Sequence, residues 1–179
     1  MISRRKALVG AAALPAGSLA LPAHADTNGE VIGAIDRLVA LEDIRNLKAR
    51  RIRAMDEKRW SDYEAMHAED HISMTYAAGP AVGTRANTAR LSATLDGVIT
   101  VHHAHTPELE LLTANTAQGV WAMEDMLFWK EGEADHWLHG FGHYHERYRK
   151  GPNGWQFIYR QLTRLHVKRS PGALRFKAQ

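Results

Sequence analysis

The chain has 179 residues, no cysteine, and 23 basic against 20 acidic side chains. The absence of cysteine excludes disulfides, thiolate catalysis and cysteine-bound zinc. The length suits one domain of ordinary size with a core of its own.

The first 25 residues read as an export signal rather than as part of the fold. Ser3-Arg4-Arg5-Lys6 is a twin-arginine opening, Ala7–Leu21 is modestly apolar, and Ala23-His24-Ala25 offers a small-x-small cleavage site. A membrane anchor needs about 20 strongly apolar residues, and Gly10, Pro15, Gly17 and Ser18 interrupt this run. The expectation is twin-arginine export to a bacterial periplasm, with no membrane anchor after processing. Removing Arg4, Arg5 and Lys6 from the 23 bases leaves 20, level with the 20 acids. No basic excess then argues for nucleic acid as a partner.

Residues 26–169 form the expected single domain, and 170–179 a surface tail. Glu30–Lys58 places Ile32, Ile35, Leu38, Val39, Leu41, Ile44, Leu47, Ile52 and Met55 at helical spacing, with Thr27 or Asn28 available as a cap. Asp56 falls near the helix end, four residues after Ile52, beside the apolar face. A shorter helix runs from Trp60 to Met66, followed by a strand over Ile72–Ala77. Thr84 is placed to cap a third helix, Arg85–Leu95. Strands follow over Val98–Thr106, Glu108–Asn115, Gly119–Glu131, Asp135–Lys150 and Trp155–Val167, separated by turn residues. Helices first and long antiparallel strands afterwards give an α+β fold with the N-terminal helices packed on one face of the sheet, and a strongly curved sheet closed by helices would form a cone.

The stretch Val98–Leu112 carries His102, His103 and His105 in an alternating apolar run. A period of two sets Val98, Thr100, His102 and Ala104 on one face and Ile99, Val101, His103 and His105 on the other. Imidazoles on the covered face need a hydrogen bond or a ligand. Among the aromatic residues, Trp60, Tyr76, Trp121 and Tyr144 are candidates to line a pocket as well as a core. Asp125, on the strand face of Trp121, Met123, Leu127 and Trp129, is expected to face that pocket or to pair with Arg160 or Arg164.

Several phrases together resemble the SnoaL-like branch of the nuclear-transport-factor-2-like (NTF2-like) superfamily. They are Leu41–Arg50, Met55-Asp56-Glu57-Lys58-Arg59-Trp60, His102–Leu109, Gly119–Asp125, Gly140-Phe141-Gly142-His143-Tyr144, and Gly154-Trp155 leading to Leu162-Thr163-Arg164-Leu165. The resemblance implies a cone-shaped fold around an apolar pocket, in a superfamily of dehydratases, dehydrochlorinases, isomerases, cyclases and non-catalytic binders. In its dehydratases and dehydrochlorinases a helix-end Asp and a strand His form a dyad. Matching that pattern to His102–Pro107 puts the histidine at His102 and the aspartate at Asp56. Such a pair suits proton transfer, since a carboxylate fixes the imidazole tautomer and stabilises the imidazolium. Arg51 stands where dehydratases often carry Tyr and some relatives Lys; turned inward it would hold a departing charge, and turned outward it is a solvent-facing residue of a basic helix. A late-strand arginine found in some relatives has Arg147, Arg149 or Lys150 as counterparts. The resemblance also implies a homodimer or homotrimer formed through the open sheet face.

The expected activity is a cofactor-independent lyase or isomerase acting on a small hydrophobic alicyclic or aromatic molecule, with Asp56 and His102 as acid and base. Two alternatives remain at this point. One is a non-catalytic binder of a small hydrophobic ligand. The other is a metal-dependent enzyme, because Gly97, His103, His105 and Glu110 resemble the first metal motif of cupins.

Overall fold

The structure, a computed structural model, describes residues 32–74 and 79–176. The expected export signal, the caps Thr27 and Asn28, and Tyr76 lie outside the described residues. Two helices, α1 (Ala34–Asp56) and α2 (Trp60–Ala65), lead into β1 (His67–Met74), the short β2 (Ala81–Val82) and α3 (Thr84–Thr94). Four long strands follow: β3 (Ile99–Thr113), β4 (Thr116–Glu131), β5 (Ala134–Gly151) and β6 (Gly154–Arg169).

The six strands form one sheet in the order β2-β1-β6-β5-β4-β3. β1 runs parallel to β6, and every other pair is antiparallel. The α+β layout with N-terminal helices on a mostly antiparallel sheet is therefore present. The sheet is not closed into a barrel, because β2 and β3 remain its edges. α1 packs chiefly along the edge strand β3, and this contact positions the site.

Strand alternation builds the core. On β4, Ala117, Trp121, Met123, Asp125, Leu127 and Trp129 turn inward, as do Leu138, Tyr144, Glu146 and Tyr148 on β5. One apolar cluster gathers Ile44, Leu47, Trp121, Tyr144, Tyr148 and Phe157. A second gathers Met55, Tyr63, Leu95, Val98, Leu127 and Leu138. Along β4, Asp125 falls between Met123 of the first cluster and Leu127 of the second, so a carboxylate sits at their junction.

Several boundaries differ from the sequence expectations. Pro107 does not split the strand; β3 continues through it by a register shift between Ala104 and Pro107, where the missing N–H costs least. Gly83, not Thr84, precedes α3, with a φ of 88° that suits glycine. Ile35, Leu38 and Val39 of α1 are exposed, and the core contribution of the helix begins at Ala40. The expected surface tail is partly docked: Ala173 is buried, Phe176 packs edge-on against Trp129, and Glu131 accepts hydrogen bonds from the backbone of Leu174 and Arg175.

At the β5–β6 register shift, Gly142 lies so close to β6 that an added Cβ would stand 2.0 Å from the Thr163 carbonyl oxygen. Backbone on a paired strand cannot yield as a side-chain end can. Gly142→Ala is expected to destabilise the fold by about 1–3 kcal/mol, read as a lower urea midpoint; an unchanged midpoint would refute the close approach.

Candidate active site

Asp56 ends α1 and meets the inward face of β3. Its carboxylate accepts three hydrogen bonds: from His102 Nδ1 at 2.6 Å, from the His102 backbone N–H at 2.9 Å and from Thr100 Oγ1 at 2.8 Å. Burial would raise the Asp56 pKa, but these hydrogen bonds outweigh it and hold the group below the usual carboxylate range. Lys58, two residues on and with a φ of 59°, donates to the same Thr100 oxygen at 2.8 Å. With Nδ1 turned to Asp56, His102 directs its other ring nitrogen, Nε2, into the interior.

That Nε2 faces Asp125 across 4.0 Å. Asp125 is itself held by Arg164 in a two-pronged ion pair, at 2.7 and 2.8 Å. Gly140 leaves room for this pair; a Cβ there would lie 2.4 Å from Asp125 Oδ1 and 2.2 Å from Arg164 Nη1. A gap of 4.0 Å is too long for a direct hydrogen bond. It does admit a hydroxyl beside the line, about 2.8 Å from each atom.

A second polar group lies deeper, under α1. Lys48 Nζ contacts Glu146 Oε1 at 2.5 Å and stands 4.0 Å from the Tyr144 ring centroid. Burial lowers the Lys48 pKa to about 7 even with Glu146 beside it, and Arg51 and Arg160 push in the same direction. Glu146 also accepts from the Tyr148 hydroxyl at 2.6 Å, and that hydroxyl receives Trp121 Nε1–H at 2.8 Å. Arg51 is fully buried and turned inward. It donates from Nη2 to the Tyr63 hydroxyl at 2.7 Å and from Nε to His67 Nε2 at 3.0 Å. His67 Nδ1 lies 2.6 Å from the Tyr63 carbonyl, so its proton sits on Nδ1 and the ring is neutral. Burial, with Arg51 next, holds His67 well below its ordinary pKa and His71 at about 3.

Two recesses flank His102 along the seam between α1 and β3. One, of ≈ 470 Å³, is lined by Asp56, Lys58, Trp60, Leu95 and Val98. The other, of ≈ 430 Å³, is lined by Lys48, Ile52, Ala104 and Trp121. The structure thus brings Asp56, His102 and Asp125 together, with Arg51, Trp121 and Tyr144 in the adjoining interior and Trp60 at the outer recess. Tyr76 is outside the described residues.

Some expectations need correction. Arg147, Arg149 and Lys150 are exposed on β5, with Arg149 paired to Asp70, so none reaches the centre. The inward arginines come from β6: Arg164 on Asp125, and Arg160, whose guanidinium lies 4.9 Å from the Tyr144 ring. Glu110 is bonded to Gln118 and is not a member of the cluster formed by His103 and His105. Those two histidines lie on the opposite, exposed face of β3 from His102. Sequence reasoning missed Lys48, Glu146, His67, His71 and Lys58, and placed Thr100 on the face of His102 without giving it a role. Lys48 and Arg51 had a signal, because they continue the buried helical spacing Ile44, Leu47, Met55.

The model of the SnoaL-like domain matches residues 36–161. The chain belongs to the SnoaL-like family. Solved structures share its NTF2-like fold. A scytalone-dehydratase-like protein from Novosphingobium aromaticivorans matches with a TM-score of 0.68 at 18% identity, covering 76% of this chain and 91% of that one. A type 2 hexachlorocyclohexane dehydrochlorinase (LinA) gives 0.70 at 16% identity, covering 79% and 95%. The LinA-type3 dehydrochlorinase of Novosphingobium barchaimii gives 0.68 at 14% identity, covering 79% and 97%. At such identities the likeness establishes the fold of this SnoaL-like chain.

The neutral histidines of this SnoaL-like interior make stability depend on acid. Unfolding lets His67 and His71 take up protons that the folded state refuses. Stability should therefore fall as pH drops below about 6.5, by up to about 1.4 kcal/mol per pH unit for each ring. Urea unfolding between neutral and mildly acid pH measures this slope. His71→Asn is expected to flatten it; an unchanged slope would show that His71 is not held neutral.

Proposed function

We propose that this protein is a cofactor-independent lyase or isomerase in which His102, oriented by Asp56, transfers a proton on a small alicyclic or aromatic substrate. The observation that carries the reading is the 2.6 Å contact between His102 Nδ1 and Asp56, which leaves Nε2 directed at the gap before Asp125. In an elimination, Nε2 removes a proton from a substrate carbon. The C–H electrons form the new double bond, and the neighbouring bond to hydroxyl or halide breaks. Asp56 stabilises the imidazolium so formed. When the leaving group is hydroxyl, the same imidazolium returns its proton so that water departs.

The charge of the buried interior supports a polar leaving group on an otherwise apolar molecule. Arg51 Nη1 is buried with no hydrogen-bond partner among the described residues. A buried, unfilled guanidinium donor favours an anion or an oxygen. Asp125 with Arg164 fits a role in placing a substrate hydroxyl beside Nε2. Trp60 and Trp121, at the two recesses, supply apolar walls. The twin-arginine opening of the chain supports a periplasmic setting for this chemistry, and a homodimer or homotrimer remains part of the proposal.

The test is a turnover screen of the purified chain on β-hydroxy ketones, followed by enone absorbance, and on polychlorinated cyclohexanes, followed by chloride release. His102→Ala and Asp56→Asn are each expected to lower kcat/KM by about 10²–10⁴-fold. Turnover that survives His102→Ala would overturn the reading. Saturable binding of these compounds without turnover would replace it with a ligand carrier.

A further inference from the structure

The outward face of β3 and β4 carries a second constellation that the dyad does not use. His103 and His105 stand two residues apart on β3, so their rings project from the same face, 5.9 Å apart at their centroids. Glu124 is the residue paired with His103 across the sheet. Its Oε2 lies 3.6 Å from His103 Nδ1 and 3.6 Å from His105 Nε2. The three ligand atoms all fall within 4.8 Å of one another. From β5, His139 Nε2 contacts the other carboxylate oxygen, Oε1, at 2.6 Å.

We propose that His103, His105 and Glu124 bind a divalent transition-metal ion, with His139 orienting Glu124. Two imidazoles and one carboxylate are the donor set of zinc and its neighbours, and they are too nitrogen-rich for calcium or magnesium. Metal–ligand bonds of about 2.0–2.1 Å at tetrahedral angles set neighbouring ligand atoms about 3.3 Å apart. The two observed separations of 3.6 Å are close to that value. Both histidines are about half exposed, so their rings have room to close the remaining distance and water has access to a fourth position. His139 meets the requirement that a ligating carboxylate be held by a further hydrogen bond.

The location gives the ion a structural consequence. β3 is an edge strand, paired on one side only with β4, and its register shifts between Ala104 and Pro107. An ion bonded to two β3 side chains and one β4 side chain ties the two strands together beside that shift. On its other face the same segment of β3 carries His102. Metal binding therefore stabilises the strand that positions the base without entering the reaction, and it is independent of the function proposed above.

The experiment is a zinc titration, by calorimetry, of the full chain prepared without an affinity tag and stripped of metal. Cobalt(II) in place of zinc supplies a visible spectrum that reports its ligands. One ion per chain is expected, together with a rise in melting temperature on zinc addition. Glu124→Ala and His103→Ala are each expected to weaken binding at least tenfold, and His139→Ala to weaken it by about tenfold through the lost orientation. His145→Ala, on the same sheet face but outside the cluster, should leave it unchanged. Absence of binding overturns the site, as does binding indifferent to Glu124→Ala and His103→Ala. Half an ion per chain overturns it in favour of an ion shared between copies.

Discussion

The hydrogen bonds converging on Asp56 are the constraint on which the rest of this structure depends. A sheet edge exposes backbone donors that must find partners, and His102 gives its N–H to the Asp56 carboxylate at the end of α1. One side chain therefore does three things at once. It covers part of the β3 edge, fixes where the helix ends against the sheet, and selects the tautomer of His102. Thr100 and Lys58 complete the arrangement, with Thr100 donating to Asp56 and accepting from Lys58. Lys58 reaches Thr100 from a left-handed backbone position that costs a non-glycine residue roughly 1 kcal/mol. The local strain is accepted where it fastens helix to strand.

Around that junction the interior is far more charged than a binding pocket for an apolar molecule requires. Lys48, Arg51, Glu146 and Asp125 are all buried, with Arg160 and Arg164 partly so. Burial of a charge is tolerable only with a partner. Asp125 is matched by Arg164 and Glu146 by Lys48, whereas Arg51 leans on a hydroxyl and a neutral imidazole. Glu146 also acts on Arg51 through space, without a hydrogen bond between them. Tyr63 and His67 hold the Arg51 guanidinium in place without neutralising it. A carboxylate partner in the same position would have removed its capacity to attract developing negative charge.

Much of this was legible in the sequence, and the reasons are specific. The two faces of β3 followed from alternation alone: Thr100 and His102 are buried, while Ile99 is 69% exposed. Asp56 and His102 were placed as a pair by resemblance, and the structure brings them to hydrogen-bonding distance. Asp125 was left between pocket and ion pair, and it is bonded to Arg164, one of the two arginines named for it, 4.0 Å from His102 Nε2. What sequence could not supply was long-range register. Glu146 of β5 meets Lys48 of α1, and His67 of β1 meets Arg51 of α1, across separations that no local pattern encodes. The late-strand arginine of the resemblance was sought on β5, although Arg160 and Arg164 of β6 were already candidate partners of Asp125, because turn length cannot show which long strand aims its charges at the centre. Glu110 was grouped with His103 and His105 by spacing along one strand, whereas the nearest carboxylate is Glu124 on the next one.

The same period of two that makes β3 readable also divides its chemistry. Adjacent histidines, His102 and His103, cannot serve one centre, because a strand sends them to opposite sides of the sheet. A one-residue slip of β3 would put His103 beside Asp56 and His102 into solvent. That slip is opposed on both faces. Inside, Asp56 binds both the backbone and the ring of His102; outside, Glu124 sits opposite His103, with His139 holding its other oxygen. The edge strand carrying the base is thus registered by polar contacts on its two faces rather than by a neighbouring strand beyond it. Any ligand that bridges His103 and Glu124 would act on the register of His102 through the backbone of a single residue.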